Sequence, residues 1–85
     1  METNETWILG IRVSDRVHAI SEVQTLLTKF GCSIRTRVGL HDVVNDSCSP
    51  GGVILLQLVG DTAERQKLES ELQQIDGVTV KRMVI

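Results

Sequence analysis

The chain has 85 residues, 41% of them apolar and 24% charged, with nine Lys and Arg against eleven Asp and Glu for a net charge of −2. That length holds one domain, residues 1–85 with 1–5 as a flexible start, and the acidic balance excludes a dedicated nucleic-acid binder, which needs a basic surplus to exchange for counterions. The longest purely apolar run is four residues, too short for a bilayer span, and no basic-apolar-small leader is expected, so the expected location is the cytoplasm.

Thr6 to Val13 alternates: Trp7, Leu9, Ile11 and Val13 interleave with Thr6, Ile8, Gly10 and Arg12. Period two predicts a strand with one buried face. Ser14 follows as a helix N-cap and Asp15 as a first-turn acid. Val17, Ile20, Val23, Leu27 and Phe30 then recur every three or four residues, the stripe of an amphipathic helix. Gly31 is expected to end it with a positive φ.

A second strand is predicted over Cys32 to Leu40, with Cys32, Ile34, Thr36, Val38 and Leu40 on one face and Ser33, Arg35, Arg37 and Gly39 on the other. His41 to Gly52 reads as a loop, since it carries Asn45, Asp46, Ser47, Ser49, Pro50, Gly51 and Gly52. Loops of that length are often functional. Val53 to Val59 is a third strand, apolar on both faces apart from Gln57. Asp61 caps a second helix, with Glu64 at the capping-box position and Leu68, Leu72 and Ile75 as the buried stripe. Gly77 ends this helix, and Val78 to Val84 forms the last strand.

The order βαββαβ predicts an α+β, ferredoxin-like fold: a four-stranded antiparallel sheet of order 4-1-3-2 with both helices on one face. Trp7, Leu9, Ile11, Val13, Ile34, Val38, Ile54, Leu56, Leu58, Val78 and Val80 are the helix-facing set. The other face would carry Ile8, Gly10, Arg12, Arg35, Arg37, Val53, Leu55, Gln57, Val59 and Lys81. Several of these are large and apolar, which marks an interface when they are contiguous. The expectation is a homo-oligomer, dimer or tetramer, joined through Ile8, Arg35, Val53, Leu55 and Val59. Scattered, tolerated surface hydrophobics are the plainer alternative.

Arg37-Val38-Gly39-Leu40 near the end of the second strand, followed by Leu68, Leu72, Ile75 and then Gly77-Val78-Thr79-Val80-Lys81, resembles the family of iron-only hydrogenase system regulators. The resemblance implies a stand-alone ACT-like domain, similar also to the C-terminal domain of the nickel-responsive repressor, and it implies gene regulation. No residues remain for a DNA-reading helix pair or ribbon, so regulation would run through a protein partner. Glu69 and Ser70 depart from the family's small residues in the second helix. Val13-Ser14-Asp15-Arg16 also looks like the turn at which ACT domains bind an amino acid. Here Val17 and His18 replace the usual Pro-Gly, which lets a ligand approach the backbone. The ligand set implied is Ser14, Asp15, Arg16, Arg37 and Gly39, in a pocket completed by the loop and a second subunit.

The nickel-repressor likeness also raises metal binding. His41 and Cys48, with Asp42 and Asp46 nearby, would be the ligands, and two of them need a second subunit to close a site. A solvated His and an incidental Cys are the alternative. Cys32 is expected to be buried as a small hydrophobe, Cys48 exposed, and His18 at the helix boundary. Arg12, Arg35 and Arg37 could clamp a carboxylate or phosphate on the open sheet face, or pair with acids across an interface. No nucleophile triad, phosphate loop or spaced carboxylate pair is present. The sequence requires no cofactor, and the expected role is sensing a small-molecule effector, not catalysis. A metal-responsive protein and a ligand-free scaffold are the alternatives.

Overall fold

A computed structural model describes the backbone of residues 4–14, 17–44 and 47–85, and the side chains of these except 17–18, 40–44 and 47–51. The elements are β1 (Trp7–Val13), α1 (Val17–Lys29), β2 (Ile34–Val44), β3 (Ser47–Leu58), α2 (Thr62–Gln73) and β4 (Val78–Val84), with a 3-10 turn over Gly31–Ser33. The strands form one antiparallel sheet in the order β2-β3-β1-β4. This is the ferredoxin-like order expected from the βαββαβ reading.

One face of the sheet carries the core. Trp7, Leu9, Ile11 and Val13 of β1, Leu56 and Leu58 of β3 and Val80 of β4 pack against Ala19, Val23 and Leu27 of α1 and Leu68 and Leu72 of α2. Burying a side chain of Leu size contributes about 1.5–3 kcal/mol. The stripe Leu68, Leu72 and Ile75 is buried as its spacing predicts, and the Asp61 carboxylate accepts the Ala63 N–H at 3.0 Å to cap α2.

Several sequence expectations are corrected. The Ser14 N–H donates to the Gly77 carbonyl at 2.9 Å, fixing the end of β1 against the start of β4; its expected role as the cap of α1 turns on residues 15 and 16, which lie outside the described residues. Phe30, at φ −100°, leads into the 3-10 turn, and Gly31 does not take a positive φ. Cys32 lies in that turn and is exposed, because the strand begins only at Ile34. Ser33 is the buried residue there, and its carbonyl accepts the Val59 N–H at 2.8 Å. Val59 therefore stands beyond the end of β3, half-buried, and not within the strand.

Of the expected loop 41–52, residues 41–44 and 47–52 lie in strands. β2 continues to Val44 and β3 starts at Ser47, with Val43 opposite Cys48 and Val44 opposite Ser47. The turn-forming residues enter a ladder because they prolong a hairpin already registered by residues 53–58. Their composition shows instead as an irregularity between His41 and Val43, opposite the stretch that contains Pro50, a residue with no N–H to give the ladder.

The largest correction concerns β2. Ile34 pairs with Leu58 but Thr36 pairs with Gln57, so Arg35 is an extra residue, a β-bulge. Each side chain after it changes face relative to an unbroken alternation. Val38 lies opposite Leu55 and is 44% exposed, away from the helices. Arg37 lies opposite the buried Leu56, on the helix side.

Gly60 and Gly77 both have φ +88°, Gly77 in the turn that leads from α2 into β4. A Cβ at Gly60 would meet nothing within 4 Å, so only the backbone conformation disfavours a side chain there. Gly60→Ala is expected to lower unfolding stability by about 1–2 kcal/mol, measured by urea denaturation, with an unchanged m-value.

Candidate functional site

The bulge decides which residues share a side. Arg37 faces the helix layer, and its Nη2 donates to Oε1 of Gln24 on α1. Gly39 follows on the same side, opposite Ile54, and a Cβ there would meet nothing within 4 Å. His41, two residues on, pairs with Gly52, which pairs in turn with Val13 at the end of β1. His41, within β2, thus lies two strands, about 10 Å, from Val13 at the end of β1. Gly39 and Arg37 register with Ile11 and Leu9, two and four residues back from Val13, so Arg37 and Gly39 share the helix side while Ser14 stands farther along the sheet. Asp15 and Arg16 lie outside the described residues.

The chemistry available here is anion recognition. Arg37 offers a planar fork of N–H donors, Gly39 leaves the backbone approachable, and the first turn of α1 presents N–H groups with the positive end of the helix dipole. Gln24 holds the guanidinium in place while leaving donors available. Arg12 is not part of this side. It is exposed on the other face of the sheet, opposite Val53. Arg35, at the bulge, is exposed and belongs to neither ladder face. The three-arginine clamp expected on the open face is therefore not assembled.

The described residues of that open face do form a surface. Ile8, Val53 and Gln57 are half-buried, and Val38, Leu55 and Met83 are exposed at 44%, 39% and 55%. Thr36 Oγ1 lies 3.4 Å from Gln57 Oε1 across the β2–β3 pair. Of the expected interface residues, Ile8, Val53 and Leu55 are here, while Arg35 and Val59 are not within the ladder.

For metal, His41 and Cys48 lie on neighbouring strands of the hairpin, but their side chains fall outside the described residues. Among the described residues no three His, Cys, Asp or Glu side chains gather as a metal site requires.

Sequence reasoning missed Arg65. It is 2% exposed, its Nε donates to Gly60 O at 3.1 Å and its Nη1 to Glu5 O at 3.0 Å. Its guanidinium lies 5.7 Å from the Trp7 ring centroid, and that of Arg82 lies 4.3 Å from it. Glu69 Oε1 is 3.5 Å from Arg82 Nη1. The signal was present, since Arg65 precedes Leu68, Leu72 and Ile75 in the same helical stripe. A shallow groove of about 420 Å³ runs between the helices past Ser21, Thr25, Leu26, Glu71 and Gln74, away from the Arg37 side.

Compared with known proteins, the chain is 34% identical to the uncharacterized protein TM1266 of Thermotoga maritima, over 96% of this chain and 99% of that one, with a TM-score of 0.81. The chain belongs to the TM1266 family. The ACT domain of the GTP pyrophosphokinase of Chlorobium tepidum is 23% identical over 98% of this chain and 100% of that one, TM-score 0.63. The C-terminal domain of the MgtC protein of Mycobacterium tuberculosis is 16% identical over 100% and 94%, TM-score 0.61. These two share the fold, which is ACT-like as the resemblance in the sequence implied. No family model and no curated protein matches the chain. No helix among the described residues is long and apolar enough to cross a membrane.

Proposed function

We propose that this chain is a small regulatory module that senses an anionic small molecule, a carboxylate such as an amino acid, and conveys the binding event to a protein partner without chemical conversion of the ligand. The observation that carries this reading is the Arg35 bulge. It turns Arg37 and Gly39 to the helix side, where Arg37 reaches Gln24 in the middle of α1, and so supplies a guanidinium and an open backbone position on one side. The ACT-like fold supports a regulatory role. The resemblance of Arg37-Val38-Gly39-Leu40 and Gly77-Val78-Thr79-Val80-Lys81 to iron-only hydrogenase system regulators gives the finer reading, control of that system. With a net charge of −2, such control would act through a protein and not through direct contact with DNA.

The test is thermal unfolding against free amino acids, other small carboxylates and nucleotides, with Arg37→Met in parallel. A ligand at a hundred times its dissociation constant adds about 2.7 kcal/mol, a shift of ten degrees or more for a domain of this size. The expected result is such a shift for the wild type and its loss in Arg37→Met, whose own melting temperature stays within about two degrees because Arg37 is exposed. No shift with any compound, or an equal shift in Arg37→Met, overturns the reading.

A further inference from the structure

The two edges of the sheet differ. β2 is broken by irregularities at Ile34/Thr36 and His41/Val43, and bulges of this kind blunt an edge against further pairing. β4 has none and keeps one register with β1 from Val78 to Val84. Thr6 and Ile85 exchange both of their backbone hydrogen bonds. By the alternation of an antiparallel ladder, Thr79, Lys81 and Met83 therefore bond to β1, while Val78, Val80, Arg82 and Val84 turn their backbone groups outward. The Val78 N–H is taken by the Ile75 carbonyl at 3.2 Å. The N–H groups of Val80, Arg82 and Val84 and the carbonyls of all four point to the open edge, and no described residue bonds them.

The side chains give this edge a sign. Lys81 lies on the open face, opposite Gly10, and no ion pair reaches it among the described residues. Arg82 lies on the helix side, where Glu69 Oε1 is 3.5 Å from its Nη1. β4 itself has no Asp or Glu. Past the two cations, Met83, Val84 and Ile85 are exposed at 55%, 45% and 72%.

We infer that β4 accepts an extended, acidic segment of a partner protein as a further strand, with carboxylates opposite Lys81 and Arg82 and apolar side chains opposite Met83 to Ile85. The outward backbone groups supply the ladder, and the side chains supply the choice of partner. Opposite charges that face each other across a strand pair attract, and like charges repel. This sets the sign of the partner and disfavours a second copy. Two β4 strands together bring only cations, and the antiparallel register that overlaps all of Val78–Val84 sets Lys81 on Lys81. The inference takes from the proposed function only that a protein partner exists. β4 and β2 are opposite edges of the sheet, and the test contains no small carboxylate, so the strand site and the ligand site fail separately.

The probe is a synthetic peptide, acetyl-Thr-Ile-Val-Glu-Glu-Val-Thr-amide, titrated to about 1 mM into the full isotope-labelled chain at low salt. Binding is expected within that range. Amide exchange is expected to slow at Val80, Arg82 and Val84 and to change little at Thr79, Lys81 and Met83, whose N–H groups already bond β1. Charge attraction without strand pairing does not produce that alternation. Lys81→Glu, at an exposed position, is expected to weaken the peptide tenfold or more and to favour its counterpart with Lys-Lys in place of Glu-Glu. Val84→Pro removes one outward N–H without touching the ladder to β1. It is expected to weaken the peptide by a similar factor while unfolding near the wild-type temperature. No binding within the range, protection that does not alternate, or a Lys81→Glu chain that binds the acidic peptide as before each overturns the inference. So does protection of Val80, Arg82 and Val84 in the chain alone that grows with its concentration, since a second copy then holds the edge.

Discussion

Arg65→Met is expected to lower unfolding stability by about 2 kcal/mol and Arg65→Ala by about 4 kcal/mol, drops of roughly 8–16 and 16–32 degrees in melting temperature. The size follows from what the guanidinium touches. It is 2% exposed, bonds the carbonyls of Gly60 and Glu5, and faces the Trp7 ring. Methionine keeps much of the volume and can rest its sulfur against the ring, so it loses the two hydrogen bonds and the cation–π attraction. Both partners named for the N–H groups are neutral carbonyls, so removal strands no opposite charge, which keeps the methionine loss below the 3–5 kcal/mol of a broken buried ion pair. Alanine adds a cavity beneath Trp7. Lysine keeps the charge but not the fork that reaches two carbonyls at once, and is expected to fall between methionine and alanine.

The same substitution has a local signature. Arg65 ties Glu5 to α2, and next to it Thr6 and Ile85 exchange both backbone hydrogen bonds, at 2.9 and 2.8 Å. Losing Arg65 should free this end of the sheet before the rest unfolds. Amide exchange at Thr6 and Ile85 is expected to quicken in Arg65→Met by more than at Leu9 or Ile11. Equal acceleration throughout would mean that Arg65 supports the fold only globally.

Much of the fold could be read directly. The period of two through Trp7, Leu9, Ile11 and Val13, the stripe ending in Leu68, Leu72 and Ile75, and the glycine before Val78 together specify strand order and helix placement, and the sheet has that order. The candidate site was less legible, for one local reason. From Ile34 to Leu40 the residues alternate without a break, and an alternating pattern carries no mark of an inserted residue. The bulge at Arg35 is set by tertiary constraints: Ile34 must reach the core beside Leu58, and the Ser33 carbonyl must meet the Val59 N–H. Past it, Val38 and Arg37 occupy sides opposite to those their spacing suggests. The correction strengthens the ligand reading, since an arginine on the open face would lie far from α1. The strand character of residues 47–51 was hidden by composition, because Ser, Pro and Gly there are carried by the neighbouring strand and not by their own propensity.

Trp7→Ala is expected to cost about 3–5 kcal/mol, a large share of the roughly 5–15 kcal/mol available to a small domain, whereas Trp7→Phe is expected to cost no more than about 1 kcal/mol. The asymmetry comes from the indole nitrogen. Trp7 is 3% exposed, and its Nε1 is buried with no hydrogen-bond partner. A buried donor without an acceptor costs about 1–3 kcal/mol. Phenylalanine removes that donor and keeps a ring beside the guanidinium groups of Arg82 and Arg65, so lost contact area is offset by relief of the unmet N–H. Alanine removes the ring as well, leaving Arg65 a buried cation with no π face beside it. Urea unfolding followed by circular dichroism, which does not depend on the indole, measures both variants. Combining Trp7→Phe with Arg65→Met separates the terms. If the ring carries the attraction, the coupling measured with Trp7→Phe is small and that with Trp7→Ala is about 1–2 kcal/mol. If Trp7→Phe proves as costly as Trp7→Ala, the indole N–H is engaged after all, and the stability of this end of the sheet rests on that bond and not on the paired guanidinium groups.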